Sequence, residues 1–187
     1  MELPKIGLGR GVLSNVNEAL AREWLVTNGL GGYASSTVLG VNTRKYHGLL
    51  VAAFNPPVNR WVLLTKLDEN LQIRNETYDL GTNEFLEVIH PKGYRFLSNF
   101  SVIPIPTWRY AVNGVSLKKT IFMPYMKNAT VVIYNVRNPL EEKVSVNISP
   151  LVNSRHIYTT TNKNKIQWNF IQTVSYTHLT LPTILLV

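Results

Sequence analysis

Thr107-Trp108-Arg109-Tyr110-Ala111-Val112, then Asn113-Gly114, then Val115-Ser116-Leu117-Lys118-Lys119-Thr120-Ile121-Phe122 is the stretch that decides the fold. Two runs rich in β-branched and aromatic residues flank an Asn-Gly pair. That pair tolerates the two positive φ angles of a two-residue type I′ turn, so the runs pair directly as antiparallel strands. Along the second arm Val115, Leu117 and Lys119 fall on one face, and Ser116, Lys118 and Thr120 on the other. Such alternation suits an antiparallel sheet with one solvated side.

Working outward, the same punctuation recurs: short runs of Val, Ile, Thr, Tyr and Phe broken by Gly, Pro and Asn at intervals of about 8–12 residues. Strands are expected over 129–136, stopped by Asn138-Pro139, and over 143–148, stopped by Pro150. Upstream, 45–53 and 60–67 form two arms around Asn55-Pro56-Pro57. Shorter strands are expected over 71–74, 84–89 and 94–97, and a further one over 165–171. Only 16–24 has helical character, with Ala19, Leu20 and Ala21 flanked by glutamates. So many strands in one domain imply two packed antiparallel sheets, an all-β sandwich.

Composition fits that reading and excludes several functions. The chain has 187 residues, 45% apolar and 16% charged, ordinary for a globular domain. No apolar run approaches the ~20 residues of a membrane helix, and the first residues show no secretion signal. The absence of cysteine removes disulfides and thiolate metal sites. A cytoplasmic location, no membrane partner and no cofactor are the expectations. The net charge of +8 is scattered rather than gathered into a basic block, which argues against a nucleic-acid partner.

Two stretches stand out chemically. Glu23-Trp24-Leu25-Val26-Thr27-Asn28-Gly29-Leu30-Gly31-Gly32-Tyr33-Ala34-Ser35-Ser36 is a tightly turning, glycine-rich segment that lacks the spacing of a phosphate-binding loop. It reads as a structural hairpin on Asn28-Gly29, a wall against a partner domain, or a sugar-binding surface. Asn42-Thr43-Arg44-Lys45-Tyr46-His47-Gly48-Leu49-Leu50-Val51 follows. Read as a strand from Thr43, it puts Arg44, Tyr46 and Gly48 on one face, a set suited to sugar hydroxyls and a sugar's C–H face. Among carboxylates, Asp68-Glu69 is the best pair, but neighbours in a strand point to opposite faces and cannot flank one bond. It reads as a strand end.

Together these two stretches closely resemble the opening signature of bacterial and archaeal glycogen debranching enzymes. The resemblance continues through Leu63-Leu64-Thr65-Lys66-Leu67-Asp68-Glu69 and Pro106-Thr107-Trp108, then through 117–123 and Pro150-Leu151-Val152-Asn153-Ser154-Arg155. It implies an N-terminal super-sandwich of the galactose-mutarotase and glucoamylase N-domain kind, followed by an α/α six-hairpin barrel. The implied reaction is amylo-alpha-1,6-glucosidase hydrolysis of glycogen branch points, with the catalytic carboxylates in the barrel. This chain alone is then expected to be inactive, an accessory domain whose partners are branched α-glucan and that barrel. The residues expected to contact substrate or barrel are Trp24, Asn28, Tyr33, Arg44, Tyr46, His47, Trp108 and Arg155. The alternative is an autonomous carbohydrate-binding module holding glucan on exposed aromatics such as Trp24, Tyr33, Trp61 and Trp108.

The last residues read differently. Val174-Ser175-Tyr176-Thr177-His178-Leu179-Thr180-Leu181-Pro182-Thr183 resembles a translated sequencing-library adapter. The expectation is a sandwich domain over 1–173, cut short at its C-terminal end, with 174–187 a foreign tail.

Overall fold

The computed structural model describes residues 7–86 and 88–162. The expected strand 165–171 and the tail 174–187 lie outside the described residues. In chain order the elements are β1 (Gly7–Gly9), α1 (Arg10–Leu13), α2 (Val16–Leu20), β2 (Glu23–Thr27), β3 (Tyr33–Thr37), β4 (Gly48–Asn55), β5 (Val58–Ile73), β6 (Glu76–Asp79), β7 (Thr82–Phe85) and β8 (Val88–Lys92). A 3₁₀ turn (Gly93–Phe96) leads into β9 (Leu97–Ser101), β10 (Thr107–Val112), β11 (Val115–Phe122), β12 (Val131–Arg137) and β13 (Val144–His156). Among the described residues all strand pairings are antiparallel.

The hairpin forms as its sequence dictates. Asn113 and Gly114 have φ of 45° and 85°, and Val112 pairs with Val115 across the turn. This hairpin centres one sheet, ordered β1-β9-β10-β11-β12. The second sheet runs β13-β5-β4-β3-β2, with β6 also on β5, and β7 and β8 form a separate ribbon. The inner faces of the two sheets meet in one core, to which β2 and β3 give Trp24 and Ala34, β5 gives Leu71 and Ile73, and β9 to β11 give Phe100, Trp108, Leu117 and Ile121. Helix α2 begins at Asn15, whose side chain accepts from the Glu18 N–H as an N-cap.

Several local expectations are corrected. Residues 43–47 form a turn rather than the start of a strand, and β4 begins only at Gly48. The expected strands 60–67 and 71–74 are one continuous strand, β5, so Asp68 and Glu69 lie within a strand rather than at its end. Residues 94–97 are mostly a 3₁₀ turn, and 84–89 is divided between β7 and β8. Pro150 does not stop β13, because β13 is an edge strand of its sheet among the described residues. A proline on an edge can aim its missing N–H side at solvent. Trp24 belongs to a strand, not a helix, and helical structure ends at Leu20.

Candidate functional site

The outer face of the second sheet carries a small apolar cluster of its own. Val51, Val62 and Ile157 are buried there, with Tyr33 packed against them. Ile157 is held by its N–H donating to the Arg60 carbonyl at 3.0 Å, which carries the β13–β5 register one residue past His156. Around this cluster polar and aromatic side chains from distant segments converge.

The 43–47 turn places them. The His47 N–H donates to the Arg44 carbonyl at 3.0 Å, and the Arg44 N–H points back at His47 Nδ1 at 3.4 Å. The buried ring then presents Nε2 to Glu23 Oε1 at 3.4 Å, while Arg44 Nε donates to the same oxygen at 2.6 Å. Burial pulls the His47 imidazole below its ordinary value, and the Arg44 charge acts in the same direction; Glu23 opposes them. Beside it the Tyr33 hydroxyl donates to the Tyr46 carbonyl at 2.7 Å, and burial raises the Tyr33 phenol above its ordinary range. Arg155 spans two carbonyls, Lys45 at 2.5 Å and Thr159 at 2.8 Å.

Aromatic rings continue the surface. Trp61 meets His156 at 5.9 Å, His156 meets Tyr158 at 5.3 Å, and Tyr158 meets Tyr46 edge-on at 6.4 Å between centroids. Lys45 Nζ lies 5.1 Å from the Tyr46 ring centre. Tyr158 is 68% exposed and Tyr46 41%, so these rings face solvent.

The structure thus gathers Tyr33, Arg44, Tyr46, His47 and Arg155 on one face. It separates the rest. Trp24 and Trp108 are 4% and 3% exposed and stack edge to face at 5.1 Å between the two sheets. Their indole N–H groups are satisfied by the Thr37 and Val38 carbonyls, at 3.2 and 2.8 Å. They are core residues, which corrects the expectation that either forms part of an exposed aromatic surface. Asn28 is fully buried and organises the glycine loop. Its Oδ1 accepts from Leu30 N–H at 2.9 Å and Gly32 N–H at 3.0 Å, and its Nδ2 donates to the Lys127 carbonyl and to Asn128 Oδ1.

Glu23, Arg60, His156 and Tyr158 were not among the expected site residues, and Trp61 was expected only as an exposed aromatic of the alternative carbohydrate-binding module. The alternation Glu23, Leu25, Thr27 on one side of β2 could have pointed to Glu23; no local signal places 156–158 beside Tyr46. The interior holds a second charged group. Glu69 accepts from Lys119 Nζ and from the Tyr134 hydroxyl, both at 2.5 Å, and Asp68 pairs with Lys66 at 2.8 Å. Glu69, Lys66 and Lys119 border a cavity of about 40 Å³ between the sheets, enough for a water or two. The two carboxylates face different partners and each is already bonded to an ammonium group.

These features define an all-β sandwich domain with polar and aromatic side chains gathered on the outside of one sheet. The family described as glycogen debranching enzyme N terminal matches residues 22–181, and the chain belongs to that family. The match continues past Thr173, the expected end of the native sequence. No curated protein and no solved structure matches the chain. Among the described residues no helix is long and apolar enough to cross a membrane.

Proposed function

We propose that this chain is the non-catalytic domain of an amylo-alpha-1,6-glucosidase acting on branched α-glucan in the cytoplasm. In that role it packs against a catalytic α/α barrel and lines one side of the substrate cleft. The observation that carries the reading is the braced outer face. Tyr33 is fixed by its bond to the Tyr46 carbonyl, and Arg155 by its bonds to the Lys45 and Thr159 carbonyls. Groups ordered in advance cost less conformational entropy when a domain or sugar docks.

The chemistry agrees. Hydrolysis of a glycosidic bond needs an acid and a second carboxylate flanking the same bond, roughly 5–9.5 Å apart with room for the sugar between them. Asp68 and Glu69 are neighbours on β5, and each carboxylate is already paired with an ammonium group, Lys66 for Asp68 and Lys119 for Glu69. The test is glucose release from a branched limit dextrin. The chain alone should release none, and the chain joined to its catalytic domain should turn over. In that longer protein Arg44→Ala should lower turnover while leaving the melting temperature nearly unchanged. Glucose release by the chain alone, lost on Glu69→Gln, would overturn the reading.

A further inference from the structure

Three segments distant in sequence meet at one end of the sandwich. They are the tip of the β4–β5 hairpin, where Asn55 pairs with Val58, the glycine loop 28–32, and the turn 124–128 that follows β11. A Cβ on Gly29 would lie 2.6 Å from the Tyr125 ring, and one on Gly31 2.5 Å from the Pro57 carbonyl oxygen, so glycine is what lets the three pack together. The Met126 N–H donates to the Asn28 carbonyl at 2.7 Å and holds Met126 at a φ of 57°. A residue with a side chain keeps that left-handed backbone only where its surroundings impose it. Asn128 completes the brace, its Nδ2 donating to the Ala53 carbonyl at 2.8 Å and its Oδ1 accepting from the Ala53 N–H at 3.1 Å.

This braced end turns apolar side chains outward. Phe54, Val58 and Met126 are more than half exposed and Tyr125 is 80% exposed; Leu25, also exposed, lines a groove with Gly29, Gly31 and Gly32. Large side chains span roughly 150–250 Å² each, so these leave on the order of 600 Å² open, the upper end for a monomer and most of the ~800 Å² that one side of a specific interface buries. The charge around them is one-sided. Residues 25–33, 53–60 and 124–128 include no Asp or Glu, and their cations are Arg60 and Lys127. Lys127 is exposed and makes no ion pair among the described residues. Two copies of the chain joined here would set like charges side by side, which disfavours a second copy as the occupant. A partner face with an apolar centre and carboxylates at its rim satisfies both the apolar surface and the charge.

We infer that this end docks the following domain of the same polypeptide, through a face that is apolar at its centre and sets a carboxylate beside Lys127. The inference rests on the reading of the chain as one domain of a larger enzyme. It adds to that reading where the contact falls and what chemistry the partner's face carries.

Met126 is the probe, because peroxide converts an exposed methionine to its sulfoxide and spares a covered one. Met123, 8% exposed, is the internal control. Oxidation is followed by peptide mass spectrometry in the full chain and in the chain joined to its catalytic domain. In the chain alone Met126 should oxidise fast and Met123 slowly, at every protein concentration. In the joined protein Met126 should oxidise about tenfold more slowly, as for a face undocked about one-tenth of the time. Lys127→Glu should restore most of the fast rate there, and Lys127→Arg should leave it slow. Tyr125→Ser should act like Lys127→Glu, and Phe54→Ser makes the same test if Tyr125→Ser does not fold. Equal Met126 rates in the two proteins, or full protection kept by Lys127→Glu, overturns the docking surface. Protection in the chain alone that grows with its concentration also overturns it, since the occupant is then a second copy. If the joined protein hydrolyses limit dextrin while Met126 stays open, the docking surface fails and the accessory-domain reading stands. If Met126 is covered but no glucose is released, the docking surface stands and the glucosidase reading fails.

Discussion

The interior between the sheets and the outer face of the second sheet use the same residue types for opposite ends. Inside, Trp24 and Trp108 stack with both indole N–H groups bonded to carbonyls, and Glu69 meets Lys119 with side-chain exposures of 4% and 12%. Outside, Tyr46 and Tyr158 meet edge-on in solvent, and Glu23 meets an Arg44 whose side chain is 65% exposed. Aromatic pairs and ion pairs in themselves therefore say nothing about function. Burial decides whether removing one partner is a stability event or leaves a folded surface with altered contacts.

The largest expected effect comes from breaking the inner pair. Lys119→Met leaves the buried Glu69 without its paired ammonium and with the Tyr134 hydroxyl as its remaining donor, and should cost about 3–5 kcal/mol in chemical denaturation. Adding Glu69→Gln should recover most of that, because the stranded charge is then gone and Tyr134 keeps an acceptor. A loss below about 1 kcal/mol for the single variant, the range of exposed pairs, would erase the contrast between the regions. Next comes Asn28→Ala, which strands the Leu30 and Gly32 N–H groups and should cost about 2–3 kcal/mol. It should also loosen the groove, seen as faster amide exchange across 28–32.

The outer face answers to pH. His47 holds a lowered imidazole value when folded because burial and Arg44 disfavour its charge, against an ordinary value of 6.5. Its contribution is fully present above that ordinary value and is lost as the pH falls below it, since the unfolded chain binds the proton more readily. Melting temperature should therefore fall between about pH 7 and 5, and His47→Gln should flatten part of that slope. A slope identical in the variant would remove His47 as its source. The smallest effect is expected for Arg44→Ala, about 0–1 kcal/mol of stability, as for exposed pairs generally. A larger loss would move Arg44 into the group of structural residues with Asn28.

Local rules make much of this protein legible in its amino-acid chain. The Asn113-Gly114 hairpin, the all-β class and the unusual glycine loop follow from them, because turn chemistry and side-chain alternation act over a few residues. Family membership is readable from the blocks 23–36 and 42–51. What the sequence could not decide was where charged and aromatic residues would be sheltered. Asp68 and Glu69 look like the end of a strand, yet β5 runs through them because Lys66, Lys119 and Tyr134 meet their carboxylates. Arg44 and His47 look like members of a strand, yet they close a turn onto Glu23, which lies on β2. Alternation separates the two sides of a strand but not which side another sheet will cover, so Trp24 and Trp108 looked available. Only the packing of β2 against β10 put them inside, and only the pairing of 155–156 beside β5, with Tyr158 reaching Tyr46, built the aromatic face, since both depend on partners far away in sequence.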